Sequence, residues 1–207
     1  CGVEIPSISR EERQSNRNRW RRKWNVGDDD TVFLVVAHNF VLKGVPETIR
    51  AFARYARRTL PERRDKLVIV GRNKSSPHRW RARWFGVGKQ VVFEPAVGNI
   101  FELYCAADAV VLLSWQDACS RVILEAIRMG LPSMTTRFNG AAEIIADRAG
   151  VVVESPRDYE NIIAGFEKLA SPDYRGDMIA ACQEKAWYVS NCRQVDELER
   201  LYLDILK

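Results

Sequence analysis

Thr31-Val32-Phe33-Leu34-Val35-Val36-Ala37 carries no charge, no glycine and no proline. A short run rich in β-branched residues, apolar without alternation, reads as a strand buried on both faces. The same signature recurs at Lys66–Val70, closed by Gly71, then at Gln90–Phe93, Ala109–Leu113, Ser133–Thr136 and Gly150–Val153. Helical patterns lie between these runs. Val45–Leu60 puts Ile49, Phe52, Ala53 and Ala56 on one face. A basic helix is expected near Pro77–Phe85, a short one at Asn99–Ala106, and another at Ser120–Met129, ended by Gly130 and Pro132. Helical segments near 157–170, 173–188 and 194–206 follow, and Arg10–Trp24 reads as an exposed Arg-rich helix capped by Ser9 or Ser7.

Strands alternating with helices imply right-handed βαβ crossovers. The expected fold is therefore α/β, a Rossmann-like parallel six-stranded sheet covered by helices on both faces. The 207 residues are read as a single unit. Residues 1–24 form an entry segment and basic helix, 25–170 the α/β core, and 171–207 a set of C-terminal helices. Ligands of such sheets bind beyond the C-terminal strand ends, near the point where strand order reverses. That selects the loops after Ala37, after Gly71 and between Leu113 and Ser120.

Composition excludes several classes. Hydrophobic residues make up 46% and charged residues 29%, which suits a globular domain and not a disordered or fibrous chain. No apolar run approaches the ~20 residues that span a bilayer, and no signal peptide is expected at the N-terminus. Five cysteines, an odd number without CxxC spacing, and only His38 and His78 argue against a disulfide framework and a His-based zinc site. A reducing, cytoplasmic setting is the expectation. The net charge of +5 is unevenly spread: residues 1–90 carry 21 Lys and Arg against 9 Asp and Glu, residues 91–207 carry 11 against 18. Such asymmetry suggests an anionic partner for the basic half.

Two loops carry chemistry. After the first strand come His38-Asn39-Phe40-Val41-Leu42-Lys43-Gly44. A lysine there, beside free amides at a helix N-terminus, suits a phosphate, though it also fits a plain surface loop. Neither GxxxxGK[ST] nor GxGxxG occurs, which weakens nucleoside-triphosphate and nicotinamide readings. After the fourth strand come Ser114-Trp115-Gln116-Asp117-Ala118-Cys119-Ser120-Arg121-Val122-Ile123-Leu124-Glu125-Ala126. Asp117 and Glu125 could flank one ligand lying along the helix N-terminus, whose amides near Cys119, Ser120 and Arg121 would hold an anion. Glu125 would then accept hydrogen bonds from vicinal hydroxyls, as an acidic residue does from a ribose. Alternatively Asp117 is only a helix cap and Glu125 an ordinary helix residue. Yet Glu125 is bracketed by Val122, Ile123, Leu124, Ala126 and Ile127, and a carboxylate among such neighbours calls for a partner.

Taken in order, these residues resemble a known family. Asp117-x7-Glu125 with Ala126-x3-Gly130-Leu131-Pro132, Asn139-Gly140-Ala141-Ala142-Glu143-Ile144-Ile145 and Lys43-Gly44-Val45 are similar to motifs of the retaining GT-B glycosyltransferases of group 1, or family 4. Ile69-Val70-Gly71, Val92-Phe93, Tyr104-Cys105-Ala106-Ala107-Asp108 and the opening Cys1-Gly2-Val3-Glu4 fall in the family's order. The resemblance runs from Gly2 to about residue 169 and is to the C-terminal, donor-binding domain, in the manner of lipopolysaccharide core glucosyltransferases.

The resemblance implies a donor, a UDP-sugar by preference, and a glycan or lipopolysaccharide-type acceptor, with no cofactor and no metal. It makes Lys43 and Asp117 the catalytic pair, Lys43 on the donor diphosphate and Asp117 on the sugar hydroxyls. Glu125 would hold the ribose. Cys119, Ser120, Arg121 and Val122 would meet the sugar and diphosphate, and Gly71, Arg72 and Phe93 to Ala96 the base. Three departures stand out. Asp117 replaces the usual Glu. His38 replaces an Arg five residues before the lysine, for which Arg17, Arg21, Arg22 or Arg72 could substitute. The acceptor domain that precedes this one in the family is missing, so the chain is expected to be an incomplete half, inactive alone, whose last helix would normally pack against the absent part.

Other signals have competing readings. Asp28-Asp29-Asp30 fits a metal-binding DxD but precedes the first strand, where a turn is expected. Arg and Trp interleave at 17–24 and 79–84, a pattern that suits nucleic acid or an anionic membrane as well as docked helices. Docked helices are the leading reading; nucleic acid is not the expected partner, and peripheral contact with the inner face of an anionic membrane stands as a secondary reading. Cys119 sits where a helix N-terminus can lower a thiol pKa, but no histidine is near it in sequence. Beside the transferase reading stand a GT-B-like nucleotide-sugar epimerase and a non-catalytic basic binding module.

Overall fold

A computed structural model describes residues 2–58, 63–72 and 75–206. Cys1 and the end of the helix expected to reach Leu60 lie outside them. The elements run α1 (Arg10–Trp24), β1 (Val32–Val36), α2 (Val45–Arg58), β2 (Lys66–Val70), α3 (Ser76–Trp84), β3 (Val91–Glu94), α4 (Phe101–Ala106), β4 (Ala109–Leu112), α5 (Arg121–Arg128), β5 (Ser133–Thr136), α6 (Ala142–Ile145), β6 (Gly150–Val153), α7 (Tyr159–Ala170), α8 (Pro172–Lys185) and α9 (Asn191–Ile205). All six strands are parallel, in the order β3-β2-β1-β4-β5-β6.

The unbroken hydrophobicity of β1 follows from its central place. Phe33 and Val35 face one layer, where they meet Phe52 and Tyr55 of α2 and Phe166 of α7. Val32 and Leu34 face the other, with α4, α5 and Trp24. Period-two alternation is present, but both faces are apolar. The order reverses between β1 and β4, so a crevice opens between the loops that follow these two strands. Gly44 closes it on one side. Its φ is +66°, and a Cβ there would lie 1.9 Å from the Leu113 carbonyl oxygen. Only a residue without a side chain lets the two loops approach so closely.

One element was not expected and one expectation needs correction. The short helix α6 has no periodic signal, because four residues are too few to show one. Helix α1 is capped by Ser9, one of the two serines the sequence offered, whose Oγ accepts from the Glu12 N–H, but it is not a free exposed helix. It lies on α4 with Trp24 3% exposed and Arg21 6% exposed. The Asp108 carboxylate accepts from Arg17 at 2.7 Å, from Arg21 at 2.9 Å and from the Val32 N–H at 2.8 Å. Arg21 also donates to the carbonyls of Gly27 and Asp30. Arg17 and Arg21 thus sit at the N-terminal ends of β1 and β4, and Arg22 lines a separate cleft beside Asn25 and Asp28. None of the three can stand in near Lys43. The Asp28–Asp30 segment is a turn, with the Asp30 carboxylate accepting from the Gly27 and Arg64 N–H groups.

Candidate donor-binding site

The β1 and β4 loops are tied together before any ligand arrives. Trp115 N–H donates to the Leu42 carbonyl at 2.9 Å, and Asn39 Oδ1 accepts from the Leu42 N–H at 3.0 Å. The tie sets Lys43 opposite Asp117, and Lys43 Nζ lies 2.5 Å from the Asp117 carboxylate. Both side chains are largely buried, which makes their mutual attraction stronger than at an open surface.

Asp117 is not the α5 cap. Its N–H donates to the Phe138 carbonyl, its own carbonyl accepts from the Gly140 N–H, and Ser120 holds the cap position. The buried Asn139 supports this arrangement. Its Oδ1 accepts from the N–H groups of Ser120 at 3.2 Å and Ala141 at 3.1 Å, while its Nδ2 donates to Thr135 Oγ1. One of the amides expected to hold an anion, that of Ser120, is therefore taken by the protein itself. The sequence shows Asn139 only as part of the 139–145 motif, without a role of its own. Its contacts join residues far apart in sequence, and no local pattern announces them.

Glu125 has the partner that its apolar surroundings called for. The buried Tyr104 hydroxyl donates to it at 3.0 Å, and Arg121 Nε stands 3.9 Å away on the next turn. Burial, then the Glu125 charge, pushes the Tyr104 phenol well above its ordinary pKa, so it stays a donor at all physiological pH. Tyr104 is a positioning residue that the sequence left unassigned. Cys119 behaves contrary to the helix-terminus expectation. Burial pushes its thiol pKa up, and the Asp117 and Glu143 carboxylates act in the same direction.

Lys43, Asp117, Cys119, Ser120, Arg121, Val122, Glu125 and Gly71 line one cavity of about 590 Å³. Arg72 and Phe93 line an adjoining one of about 450 Å³, and Gly71 and Ala96 border both. The residues selected as catalytic and donor-binding therefore meet at the switch point. His38 lines the larger cavity and Arg72 the smaller, so of the arginines named as substitutes Arg72 alone stands near it. Among the described residues no cluster of His, Cys, Asp and Glu could hold a metal ion.

A parallel sheet with a cation and two carboxylates gathered at its switch point defines a nucleotide- or sugar-phosphate-binding class of domain. The chain belongs to the glycosyl transferases group 1, whose family profile matches residues 16–185. It is 33% identical over 196 residues to the lipopolysaccharide glucosyltransferase WaaG of Escherichia coli K12, covering 93% of this chain and 50% of that protein. A crystal structure of WaaG superposes with a TM-score of 0.73 at 29% identity, covering 87% of this chain and 50% of that one. The Anabaena protein HepE, solved with UDP-glucose, superposes with a TM-score of 0.74 at 20% identity over 92% of this chain and 52% of its own, a likeness of fold. The chain spans about half the length of these proteins, and its fold matches the solved C-terminal domain of the group 1 glycosyl transferase LpcC of Francisella tularensis, with a TM-score of 0.69 at 19% identity over 86% of this chain and 92% of that one.

Proposed function

We propose that this chain is the donor-binding half of a retaining hexosyltransferase that takes a UDP-sugar and passes the hexose to a glycan or lipopolysaccharide-type acceptor. The observation that carries the reading is the convergence of Lys43, Asp117 and Glu125, from three separate elements, on one cavity at the switch point. The UDP-sugar and the acceptor class rest on the likeness to HepE and WaaG, and retention on the family resemblance.

The roles follow from charge. As the donor's glycosidic bond breaks, negative charge grows on the leaving diphosphate. Lys43, with the remaining first-turn amides of α5, meets that charge in the crevice, and a cation already fixed there needs little reorganisation. We therefore assign charge compensation to these groups and not to a metal. Asp117 accepts from sugar hydroxyls and, without donor, holds Lys43 extended across the crevice. Its side chain is one methylene shorter than Glu, which sets a shorter reach toward the sugar. Glu125, aimed by Tyr104, accepts from the ribose hydroxyls, while Gly71, Arg72 and Phe93 border the place of the base. The acceptor would come from the other half of the protein, and α9, with Val195, Leu198, Tyr202 and Ile205 exposed, would pack against it. The buried free thiols of Cys105 and Cys182 support a reducing, cytoplasmic setting.

Calorimetric titration with UDP-glucose tests the assignment. Glu125→Ala is expected to weaken binding roughly ten- to a hundredfold, because a charge-assisted pair of hydrogen bonds is lost. Unchanged affinity would overturn it.

A further inference from the structure

Outside the donor crevice, α3 presents an unusual surface. Trp80 and Trp84 are 64% and 72% exposed, although tryptophan is a large apolar side chain. They stand one turn apart and stack on each other, with ring centroids 5.3 Å apart and 25° between planes. The core makes no use of them: the inner side of α3 is filled by Ala82, and neither indole borders the donor cavities.

The surroundings are cationic. Arg81 and Arg83 are exposed on the same helix, and Lys89 on the loop beyond it. Among the described residues, none of the ion pairs involves these three. At Arg83 of the same helix opens a cleft of about 880 Å³ bordered also by Arg63, Arg64, Lys66 and Lys89, with no carboxylate in its lining. Indoles projecting from a convex helix beside a basic hollow match a bilayer surface: tryptophan settles at the headgroup level, and cations meet anionic lipid. Single-stranded nucleic acid fits less well, because each indole already gives one ring face to the other and the two stand on a ridge and not in a groove that could track a strand.

We propose that the α3 edge docks this domain on an anionic phospholipid surface, Trp80 and Trp84 entering the headgroup layer while Arg81, Arg83 and the basic cleft engage lipid phosphates. This surface is separate from the donor site, and the proposal does not depend on the donor assignment.

The test is co-sedimentation of the chain with vesicles of phosphatidylcholine alone and of phosphatidylcholine mixed with phosphatidylglycerol, with tryptophan emission recorded in parallel. Binding is expected only to the anionic vesicles, with a blue shift of emission, and it should weaken as salt is added. The double variant W80A/W84A should lose affinity roughly tenfold or more, and R81Q/R83Q roughly fivefold for each cation removed. R10Q/R22Q, which removes the same charge from exposed positions of α1, should bind as the parent does. Each variant's thermal melt and UDP-glucose affinity, expected to match the parent's, separate loss of the surface from loss of the fold or the donor site. Equal binding to neutral vesicles, parent-like binding by W80A/W84A, an equal loss in R10Q/R22Q, or tighter binding of single-stranded RNA that the same variant abolishes would each overturn the proposal.

Discussion

Helices α1 and α3 carry nearly the same text, Arg19-Trp20-Arg21-Arg22-Lys23-Trp24 in one and Arg79-Trp80-Arg81-Ala82-Arg83-Trp84 in the other, and the fold treats them oppositely. In α1 several of the charges find partners on the body of the domain, and the Trp24 ring is buried. Arg17 and Arg21 grip Asp108, Lys23 and the Trp24 indole N–H both donate to Glu94, and Arg19 pairs with Glu102. In α3 the Trp80–Trp84 pair and its neighbouring arginines face solvent. The difference lies in what the sheet offers. Asp108 and Glu94 supply buried carboxylates where α1 crosses, whereas α3 crosses over Phe40, where the half-buried His78 ring packs edge-on. Composition alone therefore says little about whether an Arg/Trp helix is structural or a contact surface.

The contrast can be broken most forcefully at Trp24. Trp24→Ala should cost about 3–5 kcal/mol, the loss of a fully packed aromatic, measured by urea unfolding. Asp108→Asn comes next. It leaves the buried Arg21 without its counter-charge and should cost roughly 3 kcal/mol. Burial by itself would raise the Asp108 pKa, but Arg17, the Val32 N–H and Arg21 together hold it below the usual 3.8. A depressed folded pKa means that the contribution is complete above the unfolded value and declines as pH falls from about 3.8 through the lower folded one. Unfolding curves at acidic pH should show this decline in the parent and its absence in Asp108→Asn. The smallest effect belongs to α3: Trp84→Ala should change stability by no more than about 0.5 kcal/mol. A cost approaching that of Trp24→Ala would show that α3 is structural after all and would erase the contrast.

The donor site shows how far pattern carries. Lys43, Asp117 and Glu125 were legible because each sits where a strand end or an apolar helix makes a charge conspicuous. The direct Lys43–Asp117 contact, the Tyr104 hydroxyl on Glu125 and the Asn139 clamp on Ser120 were not legible, since each joins residues brought together by the crossing of loops. The same reason explains why Arg17, Arg21 and Arg22 could be named as neighbours of Lys43 and prove to lie elsewhere.

What the sequence by itself determined is the order and type of the elements apart from the four-residue α6, the parallel sheet and the loops that bear the site. These follow from local periodicity and from strands apolar on both faces, properties each segment carries alone. Tertiary structure alone decided which charges meet, which tryptophan is buried and which stays in water. Those outcomes depend on distances between segments, and neither hydropathy nor spacing along the chain encodes a distance across it.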